Sequence, residues 1–251
     1  MEKVIANAVN AKKALAALAV PKHASDLERF FKTGPGEYGE GDQFIGVTVP
    51  QSRSVAKKFL HMPIEEVQKL AKSKIHQERF VAEIILQNYF EKAKTQQARK
   101  EYFDIWMSWL YAGYVNNWDL VDVVGFRFGS YLHDQANHMK LLKKLASSKV
   151  LWERRTAMIF AGSFIRVGNY HPTLAIADQL IDDEHDLIHK AVGWMLREVG
   201  NRDLTELRNF LSRYAAEMPR TMLRYAIEKL DTDERKVWMG KAAEVAGGSA
   251  S

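Results

Sequence analysis

The sequence predicts an all-α protein built as a solenoid of helical repeats. Three observations predict it. Proline is scarce, with 6 in 251 residues, and runs of alternating β-branched residues are few. Apolar residues recur instead at helical spacing, as at Ile64, Val67 and Leu70 and again at Phe80, Ile84 and Ile85. Segments with a polar start, a cation and then a small or apolar stretch return at near-constant intervals.

Candidate helices run over residues 3–19, 24–32, 51–59, 63–71, 76–95, 97–113, 118–131, 135–146, 150–167, 171–181, 185–200, 203–216, 219–228 and 231–243. The first contains the apolar run Ala14–Val20 behind Lys12 and Lys13. That run is short and the helical pattern continues past it, so it reads as helix and not as a secretory signal. Between the second and third lies Thr33–Val49, a segment with glycine at 34, 36, 39, 41 and 46. It lacks the Gly-Lys-Ser/Thr ending of a phosphate loop and carries Glu37, Glu40 and Asp42, which repel phosphate. It is expected to be a structured, turn-rich connection. Pro50 then suits the first turn of the next helix. Asp119 and Asp122 sit in the first turns of the 118–131 helix, and Asp182, Asp183, Glu184 and Asp186 crowd the start of 185–200, where the helix dipole favours acids. The Gly-Gly-Ser-Ala-Ser ending reads as flexible, so one domain is expected over 1–245 with a tail at 246–251.

The repeats align around SKIHQERFVAEIIL (73–86), SKVLWERRTAMIF (148–160), EHDLIHKAVGWML (184–196) and MPRTMLRYAIEKL (218–230). Their shared cation falls at Arg79, Arg155, Lys190 and Arg224. NNWDLVDVVGF (116–126) fits the register with Asp122 at the cation position, giving intervals of 43, 33, 35 and 34 residues. Periods of that size match HEAT-like helix pairs, which stack so that equivalent positions line one face. The alignment therefore predicts a concave basic face, an electrostatic footprint for a polyanion, with a single carboxylate in its middle. A lone acid weakens pure binding of a polyanion, which makes Asp122 a candidate for chemistry. Helical spacing adds Trp118, four residues before Asp122, and Trp194, four after Lys190. Each element also has a plainer reading: tryptophans as core, Asp119 and Asp122 as first-turn carboxylates, Arg154 and Arg155 as a solvated pair.

Composition removes several function classes. The chain has no cysteine, which excludes disulfides, zinc-thiolate sites, Fe–S clusters and a Cys nucleophile. Net charge is +5, which permits a nucleic-acid or acidic-membrane partner without demanding one. No stretch approaches the ~18 apolar residues of a membrane span. His185 and His189 lie one turn apart but no third ligand is evident, so no metal is expected. His133 and His138 sit in a polar stretch and suggest nothing further. Neither a G-x-S-x-G elbow nor a dinucleotide fingerprint is present.

Five strings carry a family resemblance: FFKTGPGEYGEGDQFIGVTVPQSR (30–53), SKIHQERFVAEIIL (73–86), NNWDLVD (116–122), LWERRTA (151–157) and DLIHKAVGWMLREVG (186–200). With them, over about residues 25–240, the chain resembles the AlkD-type DNA alkylation repair family, alkylpurine DNA glycosylases built from HEAT-like repeats. The resemblance implies a catalytic role for Asp122, aromatic partners at Trp118 and Trp194, and the family's WxxR arginine at Arg155. Arg53 and Arg197 resemble phosphate-contacting positions, and Arg79, Lys190 and Arg224 complete the expected DNA-binding set. It further implies hydrolysis of cationic N3- or N7-alkylated purines in duplex DNA, without a tight base pocket, a cofactor, a metal or a membrane. A cytosolic monomer is expected. Two other readings stay open at this stage: a catalytically silent DNA-binding relative and a protein-interaction scaffold. Lys190 also raises the question of a Schiff-base lyase, against a structural or phosphate-facing role.

Overall fold

The computed structural model describes residues 5–247, with side chains described through 240. Its described residues form fourteen α-helices and no strand. Their ranges are α1 Ala8–Ala16, α2 Pro21–Phe30, α3 Val49–Lys58, α4 Ile64–Ala71, α5 His76–Lys92, α6 Gln96–Tyr111 and α7 Trp118–Gly129. They continue as α8 His138–Ala146, α9 Leu151–Gly162, α10 His171–Gln179, α11 Asp186–Gly200, α12 Leu204–Tyr214, α13 Arg220–Ala226 and α14 Thr232–Gly247. All fourteen expected helices are present. The helices expected at 118–131 and 150–167 end earlier, in 3-10 turns over Ser130–Asp134 and Ser163–Val167. Of the expected tail, Gly247 and the residue before it belong to α14, and 248–251 lie outside the described residues, as do the first two positions of the 3–19 helix.

Two compact units divide the chain, residues 1–128 and 129–251. In the first, α1, α3 and α5 pack side by side, with α4 and α6 against that row. In the second, α9, α11 and α13 form the row, and α8, α10, α12 and α14 pack against it. Among these helices the odd-numbered ones line one layer of each unit and the even-numbered ones the other. Each unit buries its own core. Trp106, Phe128, Leu86 and Leu110 are fully buried in the first, and Phe160, Leu142, Met195 and Leu223 in the second.

Local chemistry accounts for the helix starts. Thr48 and Gln51 form a reciprocal capping box on α3, with Pro50 in the first turn as expected. Asp203 accepts from the backbone N–H groups of Thr205 and Glu206 to start α12. Pro21 opens α2 three residues earlier than the sequence suggested, because proline at a first turn loses no hydrogen bond.

A common device starts α5, α9 and α11. Ser73 Oγ, Ser148 Oγ and Asp183 Oδ1 accept from the N–H two residues on, at 3.0, 3.0 and 2.9 Å. The carbonyls of the same three residues accept from the fourth residue of the helix. Arg79 Nη1 donates to Ser73 O at 2.8 Å, Arg154 Nη1 to Ser148 O at 3.0 Å, and His189 Nε2 to Asp183 O. This corrects the repeat register at one point. Arg79 corresponds to Arg154, and the counterpart of Arg155 is Phe80. One residue turns a side chain by about 100° around a helix, so Arg79 and Arg155 face different neighbours.

The glycine-rich segment is an ordered connection, as expected. Glu37 Oε2 accepts from the Gly34 N–H at 2.9 Å and Glu40 Oε2 from the Gly36 N–H at 3.0 Å, so the acids hold the loop's own donors. Gly46 has a φ of +76°, and a Cβ there would lie 2.1 Å from the Val20 carbonyl oxygen. Only glycine lets the segment pass this close to the start of α2.

Candidate functional site

The fifth residue of each odd-numbered helix is, in order, Lys12, Arg53, Phe80, Asp122, Arg155, Lys190 and Arg224. Five are cations and one is a carboxylate. The expected set recurs here with Phe80 in place of Arg79.

In the first unit, Trp118 opens α7 and Asp122 follows one turn later, so both lie on the same side of the helix, each half-buried. Trp118 does not stand alone. Its indole stacks on Phe31 at 5.4 Å between ring centroids and meets Phe30 edge-on at 6.1 Å. Phe30 is 60% exposed, an aromatic surface beside Trp118 that helical periodicity could not reveal. Its place at the head of the 30–53 string was the one available signal. Arg53 is exposed on α3, with its guanidinium 5.8 Å from the Phe80 ring centroid.

Behind α7 lies a buried ionic network that the sequence reading missed. His76 Nδ1 is 2.8 Å from Asp42 Oδ2, and His76 Nε2 is 2.8 Å from Asp119 Oδ2. Arg79 Nη2 donates to Asp42 Oδ1 at 2.6 Å and to Asn116 Oδ1 at 2.9 Å. His76, Arg79 and Asp42 are 2%, 4% and 5% exposed, so this is interior and not surface. Arg79 is therefore a structural arginine, and its expected place on a DNA-facing stripe is corrected. Its donors already serve an aspartate, an asparagine and a carbonyl inside the unit.

Burial alone would push the imidazole of His76 down, but the carboxylates of Asp119 and Asp42 overcome it and raise its pKa from 6.5 to about 9. Asp42 moves the other way. Burial opposes its charge, yet His76 and Arg79 hold it below the ordinary carboxylate range. Burial drives Glu83, on the same helix, well above its usual value, with the nearby charge of Asp119 adding to the rise.

In the second unit, Arg154 and Arg155 are not a solvated pair. Arg154 Nε donates to Asp183 at 2.6 Å, and Arg155 is 4% exposed and donates Nη1 to the Leu187 carbonyl at 2.6 Å. Trp194 is half-buried, its Nε1 donating to Glu198 at 3.2 Å. Lys190 pairs with Asp186 at 2.7 Å along α11. Arg197 pairs with Glu228 and lies 3.8 Å from Glu198, so a phosphate would have to compete with two carboxylates for it. Arg224 is exposed and lines a groove with Arg220, Arg235 and Lys236, a concentration of positive charge on α13 and α14.

His185 and His189 do not converge on an ion. His185 Nδ1 accepts from the Leu187 N–H at 3.1 Å, and His189 Nε2 is bonded to the Asp183 carbonyl. Among the described residues no cluster of three His, Cys, Asp or Glu side chains is placed to hold a metal. His133 and His138 pack on Phe164 at 4.6 and 5.0 Å, which gives them a core role. No helix among the described residues is long and apolar enough to cross a membrane.

The sequence matches no curated protein. Among solved structures, the fold is similar to that of a predicted DNA alkylation repair enzyme from Enterococcus faecalis. The TM-score is 0.66 at 16% identity, over 85% of this chain and 97% of that one. A likeness at that identity speaks for the fold. The sequence itself matches the family described as DNA alkylation repair enzyme over residues 11–230. With most of its length matched, the chain belongs to the DNA alkylation repair enzyme family.

Proposed function

We propose that the chain is a monofunctional alkylpurine DNA glycosylase of the AlkD type, hydrolysing the N-glycosidic bond of cationic N3- or N7-alkylated purines in duplex DNA. One observation carries the reading: a single carboxylate, Asp122, occupies the helix position that elsewhere holds Lys12, Arg53, Arg155, Lys190 and Arg224. Exposed cations at that position, as at Arg53 and Arg224, suit a phosphate backbone, and a carboxylate suits a centre that becomes positive during reaction.

The chemistry follows from the substrate. A purine alkylated at N3 or N7 already carries positive charge and leaves without strong general-acid help. As the C–N bond breaks, its electron pair goes to the base, neutralising it, and positive charge grows on the deoxyribose. Asp122 stabilises that charge and accepts a proton from the water that bonds to the sugar carbon, leaving an abasic site. Trp118, with Phe30 beside it, offers π-faces that attract a cationic lesion by roughly 0.5–2 kcal/mol per ring. The family resemblance implies an aromatic role of the same kind for Trp194. Arg155, held rigid by its bond to Leu187 O, supplies fixed positive charge in the second unit. Arg53, Lys190 and Arg224 contact phosphates, which set register without reading sequence. Arg197 joins them where DNA displaces its carboxylate partners. The mechanism needs no cofactor or metal, and the chain is proposed to act as a monomer in a bacterial-type cytosol.

The test is release of free base from duplex DNA containing N7-methylguanine, by wild type and Asp122→Asn side by side. Release by wild type alone supports the reading. Release by neither, with duplex binding retained, turns it into the silent DNA-binding relative.

A further inference from the structure

The Asp42–His76–Asp119 arrangement has more order than a structural ion pair requires. Both ring nitrogens of His76 lie 2.8 Å from a carboxylate oxygen. A neutral imidazole carries one N–H and would face the second carboxylate with a lone pair; only the imidazolium donates to both. The two carboxylates belong to different parts of the unit. Asp42 is in the glycine-rich segment and Asp119 is the second residue of α7, between Trp118 and Asp122.

A second connection runs parallel to the first. His76 stacks on Phe44 at 4.4 Å, Phe44 on Phe31 at 4.8 Å, and Phe31 on Trp118 at 5.4 Å. The column begins at the imidazole and ends at the indole proposed to meet the lesion. The backbone holds the same register, since His76 N–H donates to the Gln43 carbonyl at 2.8 Å. Arg79 ties Asp42 to Asn116, two residues before α7 begins.

We propose that His76, as an imidazolium, is a positioning residue that fixes the start of α7 and with it Trp118 and Asp122. This rests on the glycosylase reading above, because the geometry it protects is the one that reading uses. His76 itself touches no substrate. Its work is to hold two negatively charged segments together, so that the indole plane and the carboxylate keep one orientation. An error of about 1 Å in such placement costs on the order of 10²-fold in rate. The groups facing the imidazolium or coupled to it are Asp42 from the loop, Asp119 from α7, and Arg79 and Glu83 from α5 itself. Burial and the charge of Asp119 push Glu83 well above its ordinary value, which disfavours a third negative charge there. The imidazolium therefore has two anionic partners, and its loss leaves both carboxylates facing a neutral ring.

The experiment follows the Trp118 indole NMR signal, assigned with Trp118→Phe, and single-turnover release of N7-methylguanine from a duplex. Both are recorded from pH 6 to about pH 10 for wild type and His76→Gln. In wild type the Trp118 signal is expected to move in one step near pH 9, with base release falling over the same range. In His76→Gln that step disappears and the rate at pH 7 drops at least tenfold, while the dissociation constant for duplex stays within twofold. A flat wild-type Trp118 signal overturns the proposal, as does a folded His76→Gln protein that releases base at the wild-type rate. If His76→Gln does not fold, the wild-type titration decides alone. If wild type releases no base, the glycosylase reading fails, while the Trp118 titration still tests the positioning.

Discussion

Asp122 differs from its charged counterparts in the other odd-numbered helices in the sign of its charge, and replacing one carboxylate oxygen tests what that sign does. Asp122→Asn keeps the size of the side chain and removes the charge. Loss of one such electrostatic contact typically costs 10²–10³ in rate, so single-turnover base release should fall by about that factor with the melting temperature unchanged. Arg79 makes the opposite case. It is buried against Asp42, which is itself buried, so Arg79→Ala removes one of the two cations that offset that carboxylate and leaves it to His76. Breaking a buried pair from one side costs about 3–5 kcal/mol. Urea denaturation should show a loss of that size, and Arg79→Lys should not restore it, because an ammonium cannot reproduce the guanidinium's spread of donors.

At the scale of elements, two features set how helices sit. Gly193 in α11 faces α13. A Cβ there would lie 2.4 Å from the Met222 carbonyl oxygen and 2.5 Å from Tyr225 Cβ. Gly193→Ala gains about 1 kcal/mol of helix propensity but must move backbone, an overpacking cost of about 1–3 kcal/mol. The net is expected to be destabilising. Gly240, inside α14, has nothing within 4 Å of such a Cβ. Gly240→Ala should stabilise by up to about 1 kcal/mol, and thermal melts of the two variants should shift in opposite directions.

The second feature is the His76 link between the glycine-rich segment and α7. Its pKa is about 9 in the fold against 6.5 for a free imidazole, so the folded chain binds more protons between those values. The stabilisation is complete below pH 6.5 and is lost as pH rises through about 9. The difference corresponds to roughly 3 kcal/mol. Glu83 works in the same direction, since it ionises on unfolding once pH passes 4.5. Asp42, held low, matters at the acid end, where protonation below 3.8 removes its contribution. Stability measured in urea should therefore decline from pH 6.5 to 9.5, and His76→Gln should flatten that decline.

For the whole molecule the relevant quantity is the salt dependence of duplex binding. Each phosphate neutralised contributes about 0.9 to the slope of log affinity against log salt. Arg224 is exposed and shares its groove with three other cations. Arg224→Ala should lower the slope by about 0.9 on any duplex sequence, whereas Arg79→Ala should leave it unchanged in protein that remains folded. A slope insensitive to Arg224 would remove that residue from the DNA-contacting set.

Sequence periodicity determined the helix count, the placement of the glycine-rich connection and the position of Asp122, Arg155, Lys190 and Arg224 in their helices. These are local properties: a 3.6-residue period, capping chemistry and proline placement act within a few residues. Helical spacing paired Trp118 with Asp122, and the family resemblance implied their roles. Only the tertiary structure decided that Arg79 is interior, that Arg154 shares its role, and that Phe30 and Phe31 flank Trp118. It alone showed that His76 joins Asp42 to Asp119 across 34 and 43 residues of sequence. The physical reason is that a charge pattern reads alike for a solvated cation and a buried one. What separates them is desolvation and the partner that offsets it, and both depend on which distant segments the fold brings together.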